Sequence, residues 1–234
     1  VRTKKQQIYF MTNEVKNATI TGASSGIGRF LTEKLLNEGI HVIGVTRSGK
    51  IDNYSHPNLT VVQGDISDEA SINLAIEQIG QVSNQIDYLI NNAGVGPDLG
   101  EEIPTADHLK TSFSVNTIGT VLFTEGVLKY LKSGAHVVFL STAMALLRNA
   151  GPDGPAYRMS KAAINMYAVI LAQRVAERNI KVTPLHPGWV KTRMGGDSAP
   201  VSIERSVSGI YKALTENTEN GKFWNIEVGG LEEY

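Results

Sequence analysis

The residues best suited to chemistry in this chain are Tyr157-Arg158-Met159-Ser160-Lys161. The run Ala162-Ala163-Ile164-Asn165-Met166 that follows predicts a helix, and on a helix residues four apart share a face, which sets Tyr157 beside Lys161. A phenol has an ordinary pKa of about 10 and gives up its proton poorly at neutrality, but a neighbouring ammonium favours the phenolate and lowers that value. Such a pair can act as a general acid or base. The same spacing also arises by accident on helical surfaces, so its meaning depends on what surrounds it.

Two groups on a helix need a scaffold that delivers a substrate to them. From Lys16 onward the chain alternates strand and helix patterns. Lys16 to Thr21 reads as a strand, and Gly22-Ala23-Ser24-Ser25-Gly26-Ile27-Gly28 follows it. Phe30, Leu31, Lys34, Leu35 and Leu36 then fit one face of a helix that Gly39 stops. Glycines between strand and helix permit a tight turn, close approach of the backbone to a pyrophosphate, and close packing of helix on strand. The helix start offers unpaired N–H groups to that phosphate. An ordinary tight loop is the other reading, and the placement favours a nucleotide site. Ile40 to Thr46 is the next strand, ending Thr46-Arg47-Ser48 with no carboxylate. An acidic side chain there suits a free ribose 2′-hydroxyl and an arginine suits a 2′-phosphate. Arg47 therefore points to NADP(H) over NAD(H), with an exposed loop arginine as the alternative.

Asn58 to Gln63 is a third strand ending at Gly64-Asp65-Ile66-Ser67, where Asp65 either caps the turn or touches an adenine. Asp68 and Glu69 open a helix whose Ile72, Ala75, Ile76 and Ile79 keep the helical period. Ile86 to Ile90 is a fourth strand, and Asn91-Asn92-Ala93-Gly94 after it either let a ribose approach or tie strand ends together. A loop over residues 95–104 leads to one long helix expected from Thr105 to Leu131. Within it Asn116, close to Gly119, competes for backbone hydrogen bonds. It marks either a local distortion that frees a carbonyl or side chain to hold water, or an exposed amide. Ala135 to Leu140 is the fifth strand, and the hydroxyls of Ser141 and Thr142 at its end either position a carbonyl or start the next turn. A flexible segment over 143–155 precedes the Tyr157 helix. A sixth strand (Asn179 to Leu185), a loop from His186 to Met194 able to cover a ligand, a helix around Ser202 to Leu214 and a closing strand from Phe223 to Val228 complete the chain. The alternation predicts an α/β fold: a single-domain, Rossmann-type, doubly wound parallel sheet of about seven strands with helices on both faces.

Bulk properties agree with one domain. The chain has 234 residues, 41% hydrophobic and 19% charged, enough for a substantial core. A net charge of −1 with both signs interspersed gives no basic field for nucleic acid. Absence of cysteine excludes disulfides and thiolate chemistry, and the five histidines lack the helical pairing of a metal site. They read as surface or satisfied core residues. No apolar run approaches a membrane-spanning length, so a soluble, cytoplasmic protein is expected. Residues 1–15 are polar and basic and read as a leader or disordered extension.

Taken together, Thr21 to Gly28, Asn91 to Gly94, Asn116, Tyr157 to Lys161 and Pro187-Gly188 resemble the short-chain dehydrogenase/reductase family in order and spacing, over roughly residues 16 to 230. Ala156 to Lys161 and His186 to Gly196 look like the small carbonyl reductases related to Sniffer and C-factor. The resemblance implies that Tyr157 donates a proton to the substrate oxygen while Lys161 lowers its pKa and holds the nicotinamide ribose. Asn116 would anchor a water linking Lys161 to solvent. The serine that steadies the carbonyl is replaced by Thr142; Ser141 is the other candidate, strand alternation argues against both pointing inward, and the register favours Thr142. Expected cofactor contacts are Gly22, Ser24, Ser25, Gly26, Ile27, Gly28, Arg47, Asp65, Ile66, Asn92, Ala93, Gly94, Tyr157, Lys161, Pro187, Gly188, Val190 and Thr192, the last two at the carboxamide. Arg193 reads as a solvated charge, or as favouring an anionic substrate. The expected activity is NADPH-dependent reduction of a small aldehyde or ketone. An NADP(H)-binding sensor without useful turnover and an oxidative alcohol dehydrogenase are the alternatives. The resemblance also implies a homodimer or homotetramer through the Asn116 and Tyr157 helices, whose Gly119, Ala162, Ala163, Ala168 and Ala172 permit either close packing against a partner or packing within the protomer.

Overall fold

The computed structural model describes residues 15–234; the leader expected over 1–15 lies outside them except for Val15, which is exposed. β1 (Asn17–Thr21) runs through the glycine loop into α1 (Gly26–Asn37), and β2 (His41–Thr46) returns parallel to β1. Leu31, Leu35 and Leu36 recur at the helical period and bury the inner face of α1. Phe30, expected on that face, stays largely exposed. Gly39, at φ +76, takes the left-handed turn that ends the helix. β3 (Leu59–Gln63) pairs on the far side of β2. α2 (Glu69–Val82) starts where the Asp68 carboxylate accepts the Ser71 N–H at 2.7 Å. β4 (Ile86–Asn91) then crosses back to pair with β1.

The single helix expected over 105–131 is broken. It comprises α3 (Ala106–Phe113), a π-helical segment over Ser114–Gly119, α4 (Thr120–Val127) and a 3-10 turn over Leu128–Tyr130. Gly119 explains the break: a Cβ there would run into the Ile66 carbonyl, so this turn lies flat against the loop between β3 and α2. The Thr120 hydroxyl bonds back five residues to the Val115 carbonyl at 2.9 Å, in keeping with the widened turn. β5 (Leu131–Leu140), α5 (Pro155–Arg174), β6 (Lys181–His186), α6 (Ile203–Glu216) and β7 (Phe223–Asn225) follow.

An eighth strand, β8 (Gly230–Glu232), pairs antiparallel to β7 at the sheet edge. It adds one short edge strand to the about seven expected. Three residues beginning with a glycine carry too little alternation to be read from sequence. The sheet order is β3-β2-β1-β4-β5-β6-β7-β8, and the direction of winding reverses between β1 and β4. A crevice opens at such a reversal, beyond the carboxyl ends of the strands.

Alternating residues on the strands feed two cores. Leu89, Val137 and Phe139 face Ile76, Phe123, Ile164 and Leu171 of α2, α4 and α5. Ile90, Val138 and Leu140 face Leu31 and Leu35 of α1 and Ile210 and Leu214 of α6. Helices therefore cover both faces, as the pattern predicts. Among the described residues no helix is long and apolar enough to cross a membrane.

His136 on β5 is almost fully buried, 2.8 Å from the Thr183 hydroxyl and 3.2 Å from the Leu214 carbonyl. Burial pushes its pKa down to about 4, with the Leu214 contact acting the other way. Between its unfolded and folded pKa values the unfolded chain binds more protons, so the His136 contribution is present above pH ~6.5 and is lost as pH falls through ~4. Denaturant titrations at about pH 7 and about pH 4 should show the parent losing about 3 kcal/mol more stability than His136→Asn; equal losses would disprove this role.

Candidate active site

The glycine loop is held from both sides. Gly22 adopts φ +70 and Gly26 φ +53, conformations that favour glycine, and the Gly22 N–H donates to the Val45 carbonyl at 2.9 Å. At the start of α1, a Cβ on Gly28 would collide with the Gly22 carbonyl and the Asn92 amide, so this glycine is required for helix and loop to touch. The Asn92 side chain donates to the Thr21 carbonyl at 2.8 Å and the Gly22 carbonyl at 3.2 Å, while the Asn92 and Ala93 N–H groups each donate to the Thr21 hydroxyl at 3.0 Å. Of the two roles open to these residues, tying strand ends is therefore visible in the geometry. Ser25 caps α1 without a side-chain hydrogen bond, which leaves the first-turn N–H groups and the positive end of the helix available to an anion.

A cavity of about 410 Å³ lies at the winding reversal. Its lining includes Gly22, Ser24, Ser25, Gly26, Ile27, Asn92, Ala93 and Gly94, then Arg47, Asp65 and Ile66 from the β2 and β3 ends, and Ser141, Tyr157, Lys161, Pro187 and Thr192 from the β5 and β6 side. Gly28, Gly188 and Val190 do not reach it. Val190 is buried in the core shared with α1 and α6, and a Cβ on Gly188, at φ +84, would press against Val201. Arg193 is exposed and also lines the cavity.

Arg47 is exposed, and among the described residues its guanidinium has no ion pair. Asp65 closes its own turn: one carboxylate oxygen accepts the Ser67 N–H at 2.9 Å and the Ser67 hydroxyl at 2.7 Å. The Ser67 hydroxyl, followed by its N–H and the Arg47 charge, holds the Asp65 carboxyl below its usual range. Of the two roles considered for Asp65, the turn cap is visible in the geometry, and the residue also stands at the cavity wall.

Tyr157 and Lys161 occupy successive turns at the start of α5, both nearly buried. Burial pushes the phenol up to about 12, while the hydrogen-bonding Thr142 hydroxyl pulls the other way. Burial also brings Lys161 down to about 8, and its Nζ donates to the Leu140 carbonyl at 2.7 Å. This reverses the expected effect of the pair. Charging either group in a dry wall costs more than the neighbour returns, and the ammonium is turned to a backbone oxygen.

Beyond Leu140, where regular strand structure stops, Ser141 lines the cavity and Thr142 does not, although Thr142 meets the phenol. Thr142 lies against the phenol and accepts the Met144 N–H at 3.2 Å, whereas the Ser141 hydroxyl is buried at the cavity wall without a hydrogen-bond partner among the described residues. Asn116 is buried, not exposed. Its amide donates to the Val95 carbonyl at 2.8 Å and the Ser160 hydroxyl at 3.0 Å and accepts the Val95 N–H at 2.8 Å. The two amide protons are spent as a brace, while the amide oxygen accepts one of the two bonds it can take, which leaves that oxygen and the backbone to hold water.

Three participants escaped the sequence reading. Ser160 lies inside the Tyr157–Lys161 motif and donates to the Tyr157 carbonyl at 2.8 Å while it receives Asn116, a link visible only with both helices in place. Arg158, also in the motif, bonds the carbonyls of Met144, Asn149 and Asp153 and so staples the 143–155 segment expected to be flexible, which here forms two short 3-10 turns. Asp98 accepts the N–H groups of Ala156 and Tyr157 from a loop 58 and 59 residues upstream, where no spacing signal announces it.

The short chain dehydrogenase family model matches residues 16–201. The NADPH-bound carbonyl reductase from chicken fatty liver superposes with a TM-score of 0.84 at 30% identity, over 94% of this chain and 99% of its own. Carbonyl reductase Sniffer of D. melanogaster gives 0.85 at 25% identity, over 94% and 100% of the two chains. An uncharacterised oxidoreductase of Methylorubrum extorquens is 29% identical over 205 residues, covering 84% of this chain and 82% of that protein.

Proposed function

The chain belongs to the short-chain dehydrogenase family of oxidoreductases, and from that premise we propose that it reduces a small aldehyde or ketone with NADPH. The observation that carries this is the meeting of Tyr157, Lys161 and Ser141 at one cavity, with Thr142 against the phenol, whose far side is the glycine loop and Arg47.

The residues fit a dinucleotide phosphate. The uncapped start of α1 suits a diphosphate, and the unpaired Arg47, with no carboxylate at the end of β2, suits a 2′-phosphate. Gly94 keeps that side open: a Cβ there would stand 3.2 Å from the Lys161 Nζ and 3.3 Å from the Asn116 amide oxygen. When bound, NADPH supplies a hydride to the carbonyl carbon. In this proposal Tyr157 gives its phenolic proton to the carbonyl oxygen, and its raised pKa keeps that proton in place until charge develops there. The Thr142 hydroxyl steadies the same oxygen. Lys161 holds the ribose, and with its own pKa brought near neutrality it can pass a proton toward Tyr157 after turnover. Asn116 braces the loop under Gly94.

Self-association belongs to the same proposal, as a homodimer or homotetramer. Gly119, Ala168 and Ala172 are buried within the protomer and serve internal packing, but Ile118, Leu122, Met159, Met166 and Ile170 are exposed on the π segment, α4 and α5. Light scattering should give at least twice the 25.3 kDa chain mass; a monomer at micromolar concentration contradicts it.

Turnover is checked by following NADPH oxidation with a panel of aldehydes, ketones and quinones. Tyr157→Phe should lose about a hundredfold to ten-thousandfold in kcat/KM while NADPH still binds; an active phenylalanine variant refutes the assignment, and tight NADPH binding without turnover in the parent turns it to a sensor. In parallel titrations Arg47→Ala should weaken NADPH by about tenfold or more and leave NADH nearly unchanged, the loss expected for charge-assisted bonds. Equal weakening of both cofactors would remove Arg47 from 2′-phosphate recognition.

A further inference from the structure

The proton donor of the proposed reaction sits on the third residue of α5, where a helix is least held by its own hydrogen bonds. The residue at the cap position is Gly154, which has no side chain to bond the free N–H groups and adopts φ +62. Pro155 follows and has no N–H. The first two amides in need of partners are therefore those of Ala156 and Tyr157. Both find one residue. Asp98, with no exposed surface, accepts the Ala156 N–H at 2.6 Å on one carboxylate oxygen and the Tyr157 N–H at 3.1 Å on the other.

A buried carboxylate is costly unless it is fully bonded, and here two successive N–H groups and the positive end of a helix compensate it. The neighbouring residues reinforce the contact. The Gly154 N–H donates to the Glu101 carbonyl at 2.8 Å. Leu99 and the Tyr157 ring both crowd Gly96, where a Cβ would lie 2.7 Å from the Leu99 Cδ1 and 3.3 Å from the Tyr157 Cδ2. At the other end of this loop, Val95 is bonded through both its N–H and carbonyl to Asn116, and Gly94 lies under Lys161. One loop thus touches Lys161, Asn116 and Tyr157 in turn.

We propose that Asp98 is a positioning residue of the active site, whose two-oxygen grip on the first turn of α5 sets where the Tyr157 phenol stands over the cavity. This rests on Tyr157 being the proton donor. It also makes the loop that begins at the nucleotide side, Asn92 to Gly94, the part that fixes the proton donor.

The test compares Asp98→Asn with the parent as full-length proteins. The amide offers one acceptor oxygen and turns an NH2 group on the second N–H, so the grip is halved with little change in size. Hydrogen exchange at the Ala156 and Tyr157 amides should accelerate, and kcat should fall about tenfold to a hundredfold while KM and NADPH affinity stay within about twofold, because misplacement acts on the reacting geometry. Thr105→Ala, which removes the hydroxyl cap of α3, is the control for lost stability alone and should leave kcat unchanged. If Asp98→Asn is destabilised like the control yet keeps the parent kcat, or if exchange at the two amides is unaltered, the proposal is overturned. An active parent isolates that failure to Asp98; a parent with no carbonyl-dependent turnover fails the reductase assignment and takes this inference with it.

Discussion

Burying a lysine without a carboxylate to meet it is expensive, and the candidate site is arranged around that constraint. The Lys161 ammonium has the Leu140 carbonyl as its hydrogen-bond partner at 2.7 Å, and burial brings its pKa down to about 8. The space beside it is tight: at Gly94 a Cβ would stand 3.2 Å from the ammonium and 3.3 Å from the Asn116 amide oxygen. The lysine therefore favours a small residue in the loop after β4, and that loop has a brace of its own. Asn116 supplies it with bonds to both backbone groups of Val95.

That brace explains the irregular helix. An asparagine amide reaching inward from a helix gains from being paired, because an unbonded amide in a dry interior costs as much as a lost hydrogen bond. The π segment over Ser114–Gly119 carries Asn116 where its three bonds can be made, and Gly119 lets that turn rest on the Ile66 carbonyl. The distortion is a packing solution with a chemical consequence. It joins α5, through Ser160 and Thr117, to the loop that carries the nucleotide-facing residues.

The sheet sets the distances between these parts. Parallel strands wound in both directions from β1 and β4 put the carboxyl ends of β1 to β7 on one edge, so the Arg47, Gly22, Asn92, Ser141 and Pro187 regions share one cavity although they are spread over most of the chain. The two cores hold the sheet by filling each face with helices, and the short β7–β8 hairpin closes the far end.

What the sequence determined by itself is what local spacing encodes. Tyr157 and Lys161 fall on one helical face because they are four apart, Gly22 to Gly28 form a loop between strand and helix, and the periods of Leu31, Leu35, Ile72 and Ile76 place α1 and α2 against the sheet. The strand alternation likewise made the doubly wound sheet legible before any coordinate. Only the tertiary structure decided the rest. The pKa of Tyr157 runs opposite to the expectation drawn from its neighbour, because desolvation depends on everything packed around the phenol and not on one nearby residue. Which hydroxyl meets that phenol turned on where β5 loses its regularity, and Arg158 became a staple because three carbonyls of a folded loop converge on it. Asp98 left no trace in the sequence pattern, since a bond between residues 58 positions apart has no period; it exists only once the loop after β4 and the start of α5 are held together in space.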